Sequence, residues 1–292
     1  MRIGIDLGGT KIEGIVIDDT GRILHRLREP TPVSDGYLAI VDTIVSIVSR
    51  LESMLNKPCR VGIGTPGAIS TRTGCLKNAN TACLNGKQIK EDLAHRLDRE
   101  IRIENDANCF ALSEAIDGAA QDYRVVFGVI MGTGVGGGIV FHKNLHVGSQ
   151  HIAGEWGHNI LVPDGRRCYC GKRGCVETYL SGPGLTYDCR TDQSIDASQL
   201  IARADAGDAL AESIVKIFLK RFGQALAIVI NILDPDAIVV GGGLSNIQRL
   251  YTDGWKQVRL YVFNDELRTV LLRNRHGDSS GVRGAAQLWP AS

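Results

Sequence analysis

Four residues of this 292-residue chain have the types and spacing of a closed metal site. They are His158, Cys168, Cys170 and Cys175, in the pattern H-x9-C-x-C-x4-C. One imidazole and three thiolates form a tetrahedral donor set suited to Zn²⁺, and with all four positions filled the ion would be structural rather than catalytic. Gly171 and Gly174 allow the chain to wrap closely around it. The other cysteines (Cys59, Cys75, Cys83, Cys109, Cys189) are scattered. A chain of this size needs no disulfide framework, so the cluster reads first as a metal site and second as a loop with free thiols. Glu155 lies three residues before His158, and Glu177 two after Cys175. Two carboxylates and an imidazole held together suit the vicinal hydroxyls of a sugar. Without the metal they would be ordinary solvated acids.

Three glycine clusters point to phosphate. Asp6-Leu7-Gly8-Gly9-Thr10-Lys11 sits at a strand end, where glycines let backbone N–H groups face phosphate oxygens and Asp6 can hold Mg²⁺ directly or through water. The spacing is not that of a Walker A loop. Gly132-Thr133-Gly134-Val135-Gly136-Gly137-Gly138 is richer in glycine than a turn requires, and Thr133 adds a hydroxyl. Gly241-Gly242-Gly243 follows a strand and precedes a helix-like segment, Leu244–Leu250. Three such clusters fit a clasped nucleotide better than three unrelated turns. Asp106, in Glu104-Asn105-Asp106-Ala107-Asn108, is the candidate acceptor for the proton of an attacking hydroxyl. Taken alone it is also an ordinary helix cap. The glycine clusters lie elsewhere in the chain from the Cys/His cluster and are expected to be independent of it.

Two hairpins must position these groups. Ile3–Ile17 and Phe127–Phe141 look alike: Gly4, Gly8, Gly14, Ile15 and Val16 align with Gly128, Gly132, Gly138, Ile139 and Val140. A repeated strand–turn–strand unit implies two similar lobes. Apolar spacing predicts a helix over Tyr37–Leu55 with Leu38, Val41, Ile44, Val45, Val48 and Leu51 inward. Strands are expected at Arg60–Thr65, Ile101–Glu104 and Ala237–Val240, and helices at Ile89–Leu97, Asn105–Ala115 and Ala211–Leu233. The class is therefore α/β with open sheets. The smaller lobe is expected to comprise residues 1–117 and 281–292, and the larger 118–280. A formal net charge of +1 gives no electrostatic case for nucleic acid or a membrane as partner. No run of 18 apolar residues and no signal-peptide layout is present, so the expected compartment is the cytoplasm.

The order DLGGTK, NDAN, GTGVGGG, GEWGH and CYCGKRGCVE resembles the ROK sugar kinases over essentially the whole chain, from residue 3 to Gly284-Ala285-Ala286. That resemblance implies a two-lobed actin-like ATPase (ribonuclease H-like) fold. It implies ATP and Mg²⁺ contacts along Gly4, Ile5, Asp6, Leu7, Gly8, Gly9, Thr10 and Lys11, along Gly132, Thr133, Gly134, Gly136, Gly137 and Gly138, and at Gly241, Gly242 and Gly243. It also implies Asp106 as catalytic base, sugar contacts from Asn80, Asn105, Asp106, Glu155, His158 and Glu177, and zinc on His158, Cys168, Cys170 and Cys175. The stretches Lys77–Gly86, Gly154–Asn159 and His276–Ala286 look most like bacterial fructokinases of the mannokinase type, and Asn105–Ala115 also like N-acetylglucosamine kinases. Fructose is thus the first expectation for the hexose, with mannose, glucose and N-acetylglucosamine as alternatives. A homodimer is the family expectation. Because the first hairpin begins at residue 3, no N-terminal DNA-binding domain is expected, and a non-catalytic sugar sensor is the rival reading.

Overall fold

The computed structural model describes residues 1–189 and 195–291. Both expected hairpins form, and each grows into a five-stranded sheet. In the first, β1 (Arg2–Leu7), β2 (Lys11–Ile17) and β3 (Ile23–Pro30) are antiparallel. Then α1 (Tyr37–Leu55) leads to β4 (Arg60–Thr65), parallel to β1. The small hairpin β5 (Ala68–Ile69) and β6 (Leu76–Lys77) follows, then α2 (Ile89–Leu97), then β7 (Ile101–Asn105), which pairs parallel with β4. Next, α3 (Asp106–Ile116) carries the chain to the second sheet: β8 (Val125–Met131), β9 (Val135–Phe141) and β10 (Asn144–His146), again antiparallel. After α4 (Glu177–Leu180), α5 (Gly182–Thr186), α6 (Ala197–Asp205) and α7 (Ala209–Leu233) come β11 (Ala237–Gly241), α8 (Asp253–Arg259) and β12 (Val270–Arg273). The chain ends on α9 (Ser280–Gln287).

The strand orders, β3-β2-β1-β4-β7 and β10-β9-β8-β11-β12, are the same topology twice. The hairpins differ in one detail. Ile5 pairs with Gly14, whereas its counterpart Val129 pairs with Gly137. Leu7 and Ile12 close around Gly8–Lys11, but Met131 and Val135 close around the shorter Gly132–Gly134. The aligned Gly14 and Gly138 are therefore one residue out of structural register.

Other expectations are adjusted by packing. Helix α1 buries Ile40, Val41, Ile44, Ile47, Val48 and Leu51, while Leu38, in its first turn, stays exposed. Helix α7 begins before Ala211 because the Asp208 carboxylate accepts the N–H groups of Leu210 and Ala211 at 3.0 and 3.1 Å. Leu244–Leu250 is not one helix but two short 3₁₀ turns, Gly243–Asn246 and Gln248–Leu250, since neither start has a side-chain cap and Ile247 between them is extended. No helix among the described residues is long and apolar enough to cross a membrane.

The sheets meet through two helices. Alternation along β1 sends Ile3, Ile5 and Leu7 into the core beneath α1 and turns Gly4 and Asp6 towards α9. A Cβ on Gly4 would lie 2.1 Å from the Val282 carbonyl oxygen, and one on Gly62 of β4 would lie 1.9 Å from that of Ala285. These glycines let α9 lie on the sheet. In the second sheet Gly128 and Gly138 admit α3 in the same way, against Ala111. The helices touch where Gly284 of α9 meets the Cys109 carbonyl of α3, 1.7 Å from where a Cβ would sit. Both strands of chain that cross between the sheets are tied to Glu114, which is fully buried. Its carboxylate accepts from Ala119 N on the outward crossing, and from Arg275 N, His276 N and Ser280 Oγ on the return, at 2.8, 3.0, 3.3 and 2.8 Å.

Forcing a methyl into backbone here should overpack the seam. Gly62→Ala and Gly284→Ala are expected to lose about 3 kcal/mol or more in denaturant titrations. Gly132→Ala, with nothing within 4 Å of its new Cβ, should stay within about 1 kcal/mol of the parent. Equal stability of all three would contradict the packing described.

Candidate active site

Asp6, the last residue but one of β1, lies directly opposite Glu13 of β2. Burial, with Asp106 and Glu13 adding negative charge nearby, pushes its carboxyl up to about 7 against the pull of Lys11. Glu13 itself is buried and held by Arg26 at 2.6 Å, Arg28 at 2.8 Å and Lys11 at 3.7 Å. It thus gathers three cations beside the first glycine turn. The turn is braced from outside, where Thr31 Oγ1 donates to the Gly8 carbonyl at 2.7 Å and Thr31 N to that of Thr10 at 3.0 Å, and it closes on itself through Gly8 N to the Lys11 carbonyl at 3.0 Å. Glu13, Arg26, Arg28 and Thr31 were not singled out from sequence, since charged and hydroxyl residues on a strand read as a solvated face.

The structure sorts the glycines that sequence assigned collectively to the nucleotide. The side chains of Ile5 and Leu7 are in the core, and Gly4 is a glycine because of α9. In β9, Gly136 abuts Ala107, Gly137 abuts the Gly154 carbonyl and Gly138 abuts α3. Gly241 lies against the Phe110 ring, and Gly242, at φ 77°, lies over Met131. These positions are explained by packing, which accounts for the excess over a turn's need. Gly132 and Gly243 have nothing within 4 Å of a Cβ, and Gly9 meets only the Thr81 hydroxyl, at 3.7 Å. One open glycine therefore remains in each of the three loops, and there a backbone can approach a ligand closely.

Asp106 is the first residue of α3, and Asn105 caps it: Ala107 N donates to Asn105 Oδ1 at 2.9 Å and to Asp106 Oδ1 at 2.8 Å. Asn105 Nδ2 also donates to the Gly67 carbonyl at 3.0 Å, so its amide is largely committed to fixing the chain. The Asp106 side chain keeps solvent access yet is enclosed by protein at longer range. That enclosure raises its pKa, opposed by the Ala107 N–H and reinforced by the charge of Glu155. Glu155 itself is exposed. Asn80 is exposed beside Thr81, whose hydroxyl is the neighbour of Gly9, and Asn85 pins this loop by accepting from Ala79 N at 2.9 Å and donating to Ala79 O at 2.8 Å. Two carboxylates, Asp6 and Asp106, thus face one space. As hard oxygen donors, both raised first by burial, Asp6 further by the charge of Asp106 and Asp106 by that of Glu155, they suit Mg²⁺.

The ligand atoms of His158, Cys168, Cys170 and Cys175 all lie within 4.8 Å of one another. Cys168 Sγ is 3.6 Å from His158 Nδ1, and Cys170 Sγ is 3.7 Å from Cys175 Sγ. Two thiolates on a tetrahedral zinc sit about 3.8 Å apart, so the donor set fits that ion with Nδ1 as the imidazole ligand. Gly174, at φ 78°, closes the loop against the Val162 carbonyl. Arg166 fastens it to the helices through the carbonyls of Thr178 and Gly184, both at 2.7 Å. The other ring nitrogen, His158 Nε2, lies 3.1 Å from the hydroxyl of Tyr169, a residue the sequence reading passed over.

One expectation is overturned here. The Cys/His loop and the second glycine turn are joined, because Val135 N donates to Glu177 Oε2 at 3.0 Å and Gly182 N to the Gly132 carbonyl at 2.7 Å. Distance in sequence concealed this, as the segment after Cys175 folds back onto the β8–β9 turn.

A model of the ROK family matches residues 2–292. N-acetyl-D-glucosamine kinase of Salmonella gallinarum is 41% identical over 300 residues, covering 99% of each chain. Among solved structures, a ROK hexokinase from Thermus thermophilus superposes with a TM-score of 0.87 at 32% identity, covering 98% of this chain and 96% of that one. A ROK glucokinase from Streptomyces griseus, in complex with glucose and AMPPNP, gives 0.81 at 30% identity, covering 98% of both. With the doubled sheet, the open glycine turns and the near-full-length match, the chain belongs to the ROK family of sugar kinases and has their actin-like ATPase fold.

Proposed function

We propose that this chain, an ATP-dependent hexose kinase, transfers the γ-phosphoryl group of ATP to a hydroxyl of N-acetylglucosamine. The observation that carries the kinase chemistry is the placement of Asp106, solvent-accessible at the first turn of α3 and close enough to Asp6 and Glu155 for their charges to be felt. The acceptor rests on the relatives named N-acetyl-D-glucosamine kinase. Fructose, the first expectation from Lys77–Gly86, Gly154–Asn159 and His276–Ala286, is the rival acceptor.

In this reading the phosphates lie over Gly9, Gly132 and Gly243, with Thr10, Lys11 and Thr133 beside them. Lys11, steadied by Glu13, offsets phosphate charge. Mg²⁺ held at Asp6 would neutralise the charge of the transferring group. Asn80, Asn105, Glu155, His158 and Glu177 orient the sugar, whose hydroxyl replaces that of Tyr169 at His158 Nε2. Asp106 accepts the hydroxyl proton as the oxygen attacks in line. The positive end of α3 favours its ionised form, partly offsetting burial. Zinc on His158, Cys168, Cys170 and Cys175 would fix the loop between Gly154 and Glu177 and the tautomer of His158. Closure of the lobes, 1–117 with 281–292 against 118–280, would exclude water that otherwise competes for the phosphoryl group.

Asp106→Asn keeps the helix cap but removes the base, so kcat should fall by roughly 10² or more. The folded-state pKa of Asp106 is raised, so ionising it costs folding stability as pH climbs above the ordinary carboxylate range. Without ligand, the Asn variant should be at least as stable as the parent at neutral pH, by thermal melts. A variant that keeps most of its activity removes Asp106 from the mechanism.

In a coupled ADP-release assay over a hexose panel, kcat/KM should be highest with N-acetylglucosamine. Highest values with fructose or mannose would overturn the acceptor and leave the kinase standing. No turnover with any hexose would favour the sugar sensor.

Zinc should be found at about one ion per chain, by emission spectroscopy. Cys170→Ser or chelation should weaken hexose affinity by roughly 10- to 150-fold, the cost of one hydrogen bond to a charged group. Trp156, one residue after Glu155 and two before His158 and buried against Phe127, offers a fluorescence readout. Unchanged hexose affinity in folded, zinc-free protein would make the cluster a remote staple.

A further inference from the structure

Glu177 stands at an unusual junction. It begins α4 two residues after Cys175, and the backbone on either side is fixed. Val176 N donates to the Asn159 carbonyl at 2.9 Å, Thr178 Oγ1 to that of Cys175 at 2.7 Å, and Tyr179 is buried in the core of the second sheet. From that fixed base the carboxylate reaches the β8–β9 turn. Its Oε2 accepts Val135 N at 3.0 Å, and a Cβ on Gly134 would come within 2.8 Å of the same oxygen. Gly134 has no other neighbour within 4 Å, so its lack of a side chain is what admits this carboxylate. At the far end of the turn Gly182 N holds the Gly132 carbonyl at 2.7 Å, and the turn closes on itself through Gly132 N to the Gly134 carbonyl at 2.9 Å. The whole turn is thus gripped from the segment that follows the Cys/His loop. Among the described residues, Oε1 of Glu177 accepts no hydrogen bond, and it is free to meet a hydroxyl.

We propose that Glu177 is a positioning residue for the nucleotide as well as a sugar contact. One oxygen holds the second phosphate turn and the other the sugar, so the carboxylate couples the two sites. The inference rests on the reading that the β8–β9 turn carries ATP phosphates. The physical case is direct. A turn that presents backbone N–H groups to phosphate gains affinity when its conformation is set before the ligand arrives. A charge-assisted hydrogen bond to Val135 N, made from a rigid helix start, sets it. By linkage, a sugar that orders the carboxylate must raise nucleotide affinity, and nucleotide must raise sugar affinity by the same factor.

The test is titration of MgADP into zinc-loaded protein without any hexose, by calorimetry, with thermal melts and hexose affinity measured alongside. Glu177→Ala, which removes the acceptor, should raise the MgADP Kd by about 10-fold. Glu177→Gln keeps an acceptor oxygen for Val135 N and should stay within about threefold of the parent. Gly134→Ala leaves Glu177 in place but displaces its carboxylate, and should also raise the MgADP Kd severalfold, so the question stands even if Glu177→Ala fails to fold. The lift in MgADP affinity given by N-acetylglucosamine should disappear in Glu177→Ala. Unchanged MgADP affinity in folded Glu177→Ala or in Gly134→Ala would overturn the proposal. So would equal losses in Gln and Ala, since the effect would then follow the charge and not the hydrogen bond. Failure of the parent itself to bind MgADP would refute the kinase reading instead, and is distinguishable from both.

Discussion

The backbone contact between Gly284 of α9 and the Cys109 carbonyl of α3 is the constraint on which the rest of the arrangement depends. Each helix lies on one sheet, α9 over Gly4 and Gly62, α3 over Gly128 and Gly138, and both approaches require missing Cβ atoms. Because the helices also touch each other, the sheets are held at a fixed distance. Asp6, near the end of β1, and Asp106, at the start of α3, consequently lie near enough for the charge of one to raise the pKa of the other. Burial and the neighbouring carboxylates hold the Asp6 carboxyl up to about 7.

The same seam contains the crossings through which the lobes could move. Glu114 serves both crossings with one buried carboxylate, and Asp117 extends the tie to His276, at 3.0 Å, and to Arg283. Burial would raise the Asp117 carboxyl, but hydrogen bonds from His276 and Arg283 bring it down to about 2. Charge-assisted bonds of this kind, partly screened from water, tie the two crossings together. Outside this seam, one contact between the two halves of the chain is polar. Lys77 Nζ reaches the Gln150 carbonyl at 3.4 Å from an exposed position.

Much of this was legible in the sequence, for reasons that can be named. The repeated hairpins could be seen because strand–glycine–strand patterns are local, and the metal donors because four ligands fall within a short stretch. The glycines were only partly legible, because their type reports close backbone approach without saying to what. At Gly4, Gly136, Gly138 and Gly241 the neighbour is a helix or a ring, and at Gly132 and Gly243 it is open space. Glu13 and Tyr169 were missed because single charged or aromatic residues carry no periodic signal, and the tie from Glu177 to Val135 because nothing local records a contact 42 residues away. The choice of hexose was not legible, since sugars that differ in one substituent are told apart by pocket shape and not by residue type alone.

The account turns on the claim that ATP and sugar meet at Asp106 under the three open glycine turns. A crystal structure with AMPPNP and N-acetylglucosamine bound together tests it most directly. The expected result places the phosphates against Gly9, Gly132 and Gly243, and an acceptor hydroxyl within about 2.6–3.2 Å of an Asp106 carboxylate oxygen, in line with the γ-phosphorus. Phosphates seated away from those turns, or an acceptor hydroxyl out of reach of Asp106 in the closed complex, would contradict it.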